Sequence, residues 1–310
     1  MSSNPVTPAD AVERIQRAFG RHPGRRTLHA KGAFYEGTFV ASPDMASRCR
    51  ALHLQGTPVT VLLRWSNGGG NPGNADGATD VRGLAVSFEL PDGTKTDLLG
   101  QTAPRFPVRT PEAFVELVEA TRWPWRLPVF LARHRDAVGP LVANARAKAV
   151  VAPRSYAEVA YYPIHAYRWT APDGTESWVR YTFRPLATPE DRLPGRFQGP
   201  DRLRDEIVAR LAAGPVRFRL EVQVADAGDD PHDPMSVWRS TELVDAGTLT
   251  VTAPVDDPEA SGKVVVFDPT RIVDGIGLSD DPILRFRPEA YSVSVDRRIS
   301  GSRETTSQED

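Results

Sequence analysis

The sequence predicts an α+β fold built on an eight-stranded antiparallel β-barrel, closed or nearly closed, with helices flanking it. Three observations carry that expectation. About eight strand-like segments fall into two groups of four. Helix-patterned stretches lie between the groups rather than after each strand, so the βαβ rhythm of a parallel sheet is missing. Two joints within the groups, PDGT at 91–94 and APDGTES at 171–177, read as hairpin turns.

Taken in order, Thr7-Pro8-Ala9-Asp10 opens an amphipathic helix whose stripe is Ala11, Val12, Ile15 and Phe19, and Gly20 stops it. Residues Phe34–Val40 and Val59–Trp65 alternate and are β-branched, so they predict strands. Residues 67–77, NGGGNPGNADG, are loop. Gly83–Leu90 and Thr96–Gly100 flank the first hairpin turn. From Thr110 the pattern becomes helical, with Phe114, Leu117 and Val118 on one stripe, and Leu127–His134 and Leu141–Val151 read as further helices. Ile164–Thr170 and Trp178–Phe183 form the second hairpin. Asp201–Ala213 is a helix and Val216–Val224 a clean alternating strand. Thr248–Ala253 is a short strand, and Lys263–Phe267 is the last one. Asp281 followed by Pro282 is an N-cap with proline at the first helical position. Pro288, inside that last helix, is expected to break or kink it. No Pro/Gly/Ser-rich linker marks a boundary, so the whole of 1–310 is expected to be a single domain.

Composition bounds the function. With 40% hydrophobic and 25% charged residues the chain has a globular profile, and a net charge of −2 gives no basic field for nucleic acid. The N-terminus lacks a basic segment followed by an apolar core, and no apolar run approaches a membrane span. The single cysteine, Cys49, fits a reducing cytoplasm, and a cytoplasmic location is expected.

No histidine pair has zinc-ligand spacing, and no nucleophile elbow, P-loop or dinucleotide fingerprint is present. The acidic loop DDPHDP around His232 reads as solvated rather than metal-binding, and Cys49 in RCR as an ordinary thiol. The segment Phe267–Tyr291 carries more. Arg287 and Tyr291 stand four residues apart and share a helix face. A permanent cation beside a phenol oxygen favours negative charge there, and a phenolate is a hard anionic ligand for ferric iron. Other fragments gain meaning from their order: Arg26-Thr27-Leu28-His29-Ala30-Lys31-Gly32, then Arg64-Trp65-Ser66, whose first and last residues share one strand face. Asp80 to Phe88, Asp97 to Pro104 and the FDPT…GIG…RxxxY string at 267–291 follow.

In that order, over residues 26–298, these motifs resemble the haem catalase family. The resemblance implies a barrel of that family's type, without the C-terminal helical domain of its longer members. It implies haem b, with Tyr291 as the iron's axial ligand and Arg287 against its oxygen; tyrosine ligation is the general catalase pattern. It makes His29 the acid–base residue, with Ser66 holding its ring and Gln101 where strongly catalatic members place asparagine. It gives Arg26, Arg64 and Arg298 to the haem propionates, Leu28, Phe106 and Phe114 to the distal pocket, and Phe267 and Pro269 to the proximal face.

Departures from the pattern bear on the activity. Gln101 is one methylene longer than asparagine, Pro107 replaces a channel phenylalanine, and Leu28 replaces a valine. Together with the short chain they point toward the catalase-related peroxidases. The expected activity is reduction of organic hydroperoxides, and of hydrogen peroxide less efficiently, through a ferryl intermediate and an organic electron donor. A fatty-acid hydroperoxide isomerase, a true catalase and a non-enzymatic haem-binding barrel stay open as alternatives. A homodimer is expected.

Overall fold

The computed structural model describes residues 5–260 and 263–309. Helix α1 (Pro8–Phe19) starts as its cap predicts, with Asp10 N–H donating to Thr7 Oγ1. Strand β1 (Gly32–Ala41) follows, then a short helix α2 (Met45–Arg48) that has no periodic signal in the sequence. Strands β2 (Val59–Asn67), β3 (Arg82–Glu89) and β4 (Lys95–Gln101) complete a meander. Helices α3 (Pro111–Arg122), α4 (Leu127–Arg133) and α5 (Val138–Arg146) come next; α5 begins earlier than expected and ends five residues short of Val151. The second strand group is β5 (Tyr167–Thr170), β6 (Glu176–Pro185), β7 (Val216–Val224) and β8 (Leu243–Val255), with α6 (Arg202–Ala213) before β7. Strand β9 (Ile276–Leu278) and helix α7 (Pro282–Glu309) end the chain's elements.

The strands form one antiparallel sheet in the order β4-β3-β2-β1-β8-β7-β6-β5-β9. The two expected groups are present, and the long β1–β8 pairing joins them. There are nine strands rather than eight: β1 to β8 each overlap a segment read as a strand, and β9 is a further one that no such segment overlaps. The two ends of the sheet are brought together by single bridges, Gln101 to Tyr162 and Tyr161 to Phe183, and by Asp97, whose N–H donates to Arg271 O. This is a curled sheet approaching a barrel. Two bulges bend it, one at Glu36/Gly37 of β1. There a β-carbon on Gly37 would stand 2.1 Å from Thr250 O, so only glycine fits.

Alternation along β2 assigns its faces. Val61, Leu63 and Trp65 enter the main core with Tyr35, Phe88 and Phe218, while Arg64 and Ser66 line a cavity on the other face. Trp65 is fully buried and stacks on Tyr156 with ring centroids 5.9 Å apart. Helices α1, α3 and α7 pack over that cavity.

Three expectations are corrected. Thr248–Ala253 belongs to a 13-residue strand, not a short one. Lys263–Phe267 is not a strand: its backbone bonds to side chains, Val265 N–H to Glu259 Oε1 (2.9 Å) and Val265 O to Arg26 (2.8 Å). Helix α7 is not broken at Pro288 but runs through it as one element. Its start is fixed by Asp281, whose Oδ1 accepts from Ile283 N–H at 2.8 Å, and by the complete burial of Leu284. These contacts hold the helix where proline removes one backbone bond. Among the described residues no helix is long and apolar enough to cross a membrane.

Candidate active site

The cavity is lined from two sides by the polar groups that the sequence singles out. On one side is His29, in the loop between α1 and β1. Its Nδ1 lies 3.0 Å from Ser66 Oγ. Register explains the fit: Ser66 on β2 stands between Gly32 on β1 and Gly83 on β3. A β-carbon on Gly83 would lie 2.7 Å from both His29 Nδ1 and Ser66 Oγ, so the imidazole lies in the space that glycine leaves. Gly32 does the same for Arg64, whose Cζ would be 2.7 Å from an added β-carbon. The main chain of His29 is fixed at both ends. Its N–H donates to Gly68 O (2.9 Å), and its carbonyl accepts from Arg64 (2.9 Å). Burial, then the charges of Arg64, Arg287 and Arg26, hold the His29 pKa down to about 3. The ring is therefore neutral at pH 7, and Nε2 is the nitrogen left for proton transfer.

Helix α7 supplies the other side. Arg287, Tyr291, Val295 and Arg298 recur at helical spacing and all line the cavity. Both Nε (2.9 Å) and one terminal nitrogen (2.6 Å) of Arg287 donate to Tyr291 Oη. Two charge-assisted bonds into one phenol oxygen are an arrangement suited to negative charge on that oxygen. The remaining terminal nitrogen of Arg287 lies 2.8 Å from His165 Nε2. A guanidinium only donates, so Nε2 of His165 accepts and its proton sits on Nδ1, 2.6 Å from Asp281 Oδ2. His165 and Asp281 are each 1% exposed. Burial pushes the His165 pKa down, which keeps its ring neutral as this geometry requires. The result is a buried chain, Asp281–His165–Arg287–Tyr291. Sequence reasoning missed His165 and read Asp281 only as a cap; one carboxylate does both jobs, Oδ1 for the helix and Oδ2 for the histidine.

Arg26, Arg64 and Arg298 also line the cavity. Phe34 lies beneath the guanidinium groups of Arg26 (5.6 Å) and Arg64 (5.7 Å), and it stacks on Phe267. Glu259 is bonded to Arg26 and to Arg298, an acidic partner with no motif to announce it. Leu28, Phe106 and Phe114 form an apolar part of the wall, the two rings 5.7 Å apart. Gln101, at the end of β4, lines the cavity, and its side-chain amide makes no hydrogen bond among the described residues. Pro269 departs from expectation. It is buried outside the cavity wall, with its carbonyl accepting from Tyr167 Oη at 2.9 Å, because the chain turns away after Phe267.

The other candidates are accounted for. Cys49 is fully buried with its thiol donating to Gly275 O, and burial raises its pKa, so it is no nucleophile. His232 accepts from Asp280 N–H, and among the described residues no group of histidine, cysteine and carboxylate side chains could hold a metal ion.

The catalase family model matches residues 9–305. A catalase-related peroxidase of Mycolicibacterium paratuberculosis is 45% identical over 307 residues, covering 97% of each chain. One from Synechococcus elongatus is 29% identical over 96% of this chain and 90% of its own length. Catalase-2 of Bacillus subtilis is 28% identical, but this chain spans 44% of it. Among solved structures, a fungal catalase superposes with a TM-score of 0.74 at 21% identity, over 93% of this chain and 62% of its own.

Proposed function

The chain belongs to the catalase family, in its short catalase-related peroxidase branch, and from that premise we propose that it is a haem b hydroperoxidase. It reduces organic hydroperoxides, and hydrogen peroxide less efficiently, with electrons from an organic donor. The whole chain acts as one haem domain, in the cytoplasm and as a homodimer. The observation that carries the reading is one cavity that holds His29–Ser66 on one side, Tyr291–Arg287 on another, and three arginines.

The residues present suit haem. Arg64 Nε is buried without a partner, a donor that awaits an acceptor. Tyr291 Oη would ligate the iron, and Arg26, Arg64 and Arg298 would bind the propionates. Leu28, Phe106, Phe114 and Phe267 give the apolar surface that a macrocycle needs. Bound there, haem supplies peroxide coordination and the electrons that cleave the O–O bond.

The rest of the chemistry belongs to the chain. Neutral His29 takes the hydroperoxide's proton at Nε2 and returns it to the departing oxygen, so that water or an alcohol leaves. Ser66 fixes the ring by holding Nδ1. Arg287 donates two hydrogen bonds to Tyr291 Oη, and His165 and Asp281 hold Arg287 in place. Gln101 offers an unbonded amide where asparagine serves strongly catalatic enzymes. With apolar neighbours on the wall, this favours a hydroperoxide that carries a hydrocarbon group.

Stopped-flow spectroscopy with cumene hydroperoxide and hydrogen peroxide, with and without a reducing dye, tests the proposal. Dye oxidation should be faster with cumene hydroperoxide, and His29→Ala should lower it about 10²–10⁴-fold while the Soret band stays. Undiminished turnover in His29→Ala removes histidine from its role. A colourless protein from haem-replete cells overturns the whole reading.

A further inference from the structure

Glu259 is a carboxylate lodged among the groups that the haem reading assigns to propionates. Its Oε2 is 2.6 Å from one terminal nitrogen of Arg26, and its Oε1 is 3.0 Å from the other. Oε1 also accepts from Arg298 and from Val265 N–H. Both terminal nitrogens of Arg26 are engaged by this. Its second terminal nitrogen also donates to Val265 O at 2.8 Å. The groups are well removed from water: the side chains of Arg26, Glu259 and Arg298 are 17%, 16% and 6% exposed. Two guanidinium groups gripping one carboxylate reproduce the donor arrangement a propionate would meet.

We propose that Glu259 is an internal stand-in for a cofactor carboxylate, holding Arg26 and Arg298 until a haem propionate replaces it. The inference rests on the haem reading. Loading is then an exchange of one anion for another rather than filling of an open subsite. Charge favours the exchange. Two guanidinium groups are bonded to one carboxylate here, and Arg64, whose terminal nitrogens donate to the carbonyls of His29 and Ala30, adds a third cation nearby: burial and then Arg26 hold its pKa down to about 9, although it stays charged at neutral pH. A porphyrin with two carboxylates supplies what the cluster lacks. Exchange also frees the N–H of Val265, which donates to Glu259, while its carbonyl stays on Arg26. That residue lies two before Phe267, on the same cavity wall, so cofactor entry and settling of this segment are one event.

Haem uptake by the full-length apoprotein, followed at the Soret band, tests this with hemin and with hemin dimethyl ester. Glu259→Gln keeps the shape and removes the charge. It should take up hemin at least tenfold faster than wild type, and the advantage should vanish with the ester, which has no carboxylate to exchange. A Glu259→Asp variant, charged but shorter, should fall between the two. If Glu259→Gln loads hemin no faster than wild type, or more slowly, Glu259 positions the arginines instead, and the proposal is wrong. Equal acceleration with the ester is also fatal, since it shows loosening rather than competition. A wild type that develops no Soret band with either probe overturns the haem reading itself. Far-UV circular dichroism of each variant separates slow uptake from failure to fold.

Discussion

His29 has φ +54°, a left-handed conformation that a side chain bearing a β-carbon rarely adopts. Glycine takes it without penalty, whereas alanine loses on the order of 1 kcal/mol. The strain is held by Gly68 O, by Arg64 and by the Ser66 contact, so the ring's position is set by the fold before any substrate arrives. Both His29→Gly and His29→Ala should lose turnover, but in urea unfolding the glycine variant should be the more stable by about 1 kcal/mol. An alanine variant of equal or greater stability would show that the conformation is unstrained. Gly83 gives a complementary prediction. A β-carbon there collides with His29 Nδ1 and Ser66 Oγ at 2.7 Å. Gly83→Ala should therefore lower hydroperoxide turnover by about 10²-fold with an unchanged Soret band, whereas retained turnover would mean that the pair tolerates displacement. The motif around His29 was legible in the sequence. The role of Gly83 was not, because it depends on which residues face each other across three strands.

At the level of elements, helix α7 is the part where local rules and tertiary contacts disagree. Proline in a helix interior costs about 3 kcal/mol relative to alanine, so the sequence alone predicts a break. The structure keeps one helix because Asp281 caps it, Ile283 and Leu284 are buried, and Arg287 bonds to Tyr291 across the proline's turn. Pro288→Ala should raise the denaturation midpoint without moving the Soret band; a lower midpoint would show that proline supports a bend the site requires. The same competition explains Lys263–Phe267. Its run of valines has strand propensity, but its backbone meets Glu259 and Arg26, and neither neighbour is visible from the run itself. Strands with regular alternation and a hairpin turn were readable to within a few residues, as β2, β7 and the pairs around 91–94 and 171–177 show. The three-residue β9 has too little pattern to register.

For the whole molecule, burying histidines without protonating them makes stability depend on pH in a definite direction. Burial depresses the pKa of His29 to about 3 and that of His53 to about 4, and it lowers that of His165 as well. In the unfolded chain each would titrate near 6.5. Above that pH both states hold neutral rings, and the stability is fully present. As pH falls below it, the unfolded chain binds protons that the native state refuses, so stability is lost progressively toward the folded pKa values. A fully buried ring contributes up to about 1.4 kcal/mol per pH unit in that window. His53 isolates the effect, because it lies in the core against Phe39 and Phe88, outside the cavity. Its Nδ1 has no partner, so a leucine there removes a proton site and leaves no new unpaired group. Guanidinium unfolding at pH 7, 6 and 5 should show the wild type losing stability with acid. His53→Leu should lose about 1 kcal/mol less per pH unit at the acid end. An unchanged slope would mean that His53 already carries its proton in the folded protein, which its apolar surroundings argue against.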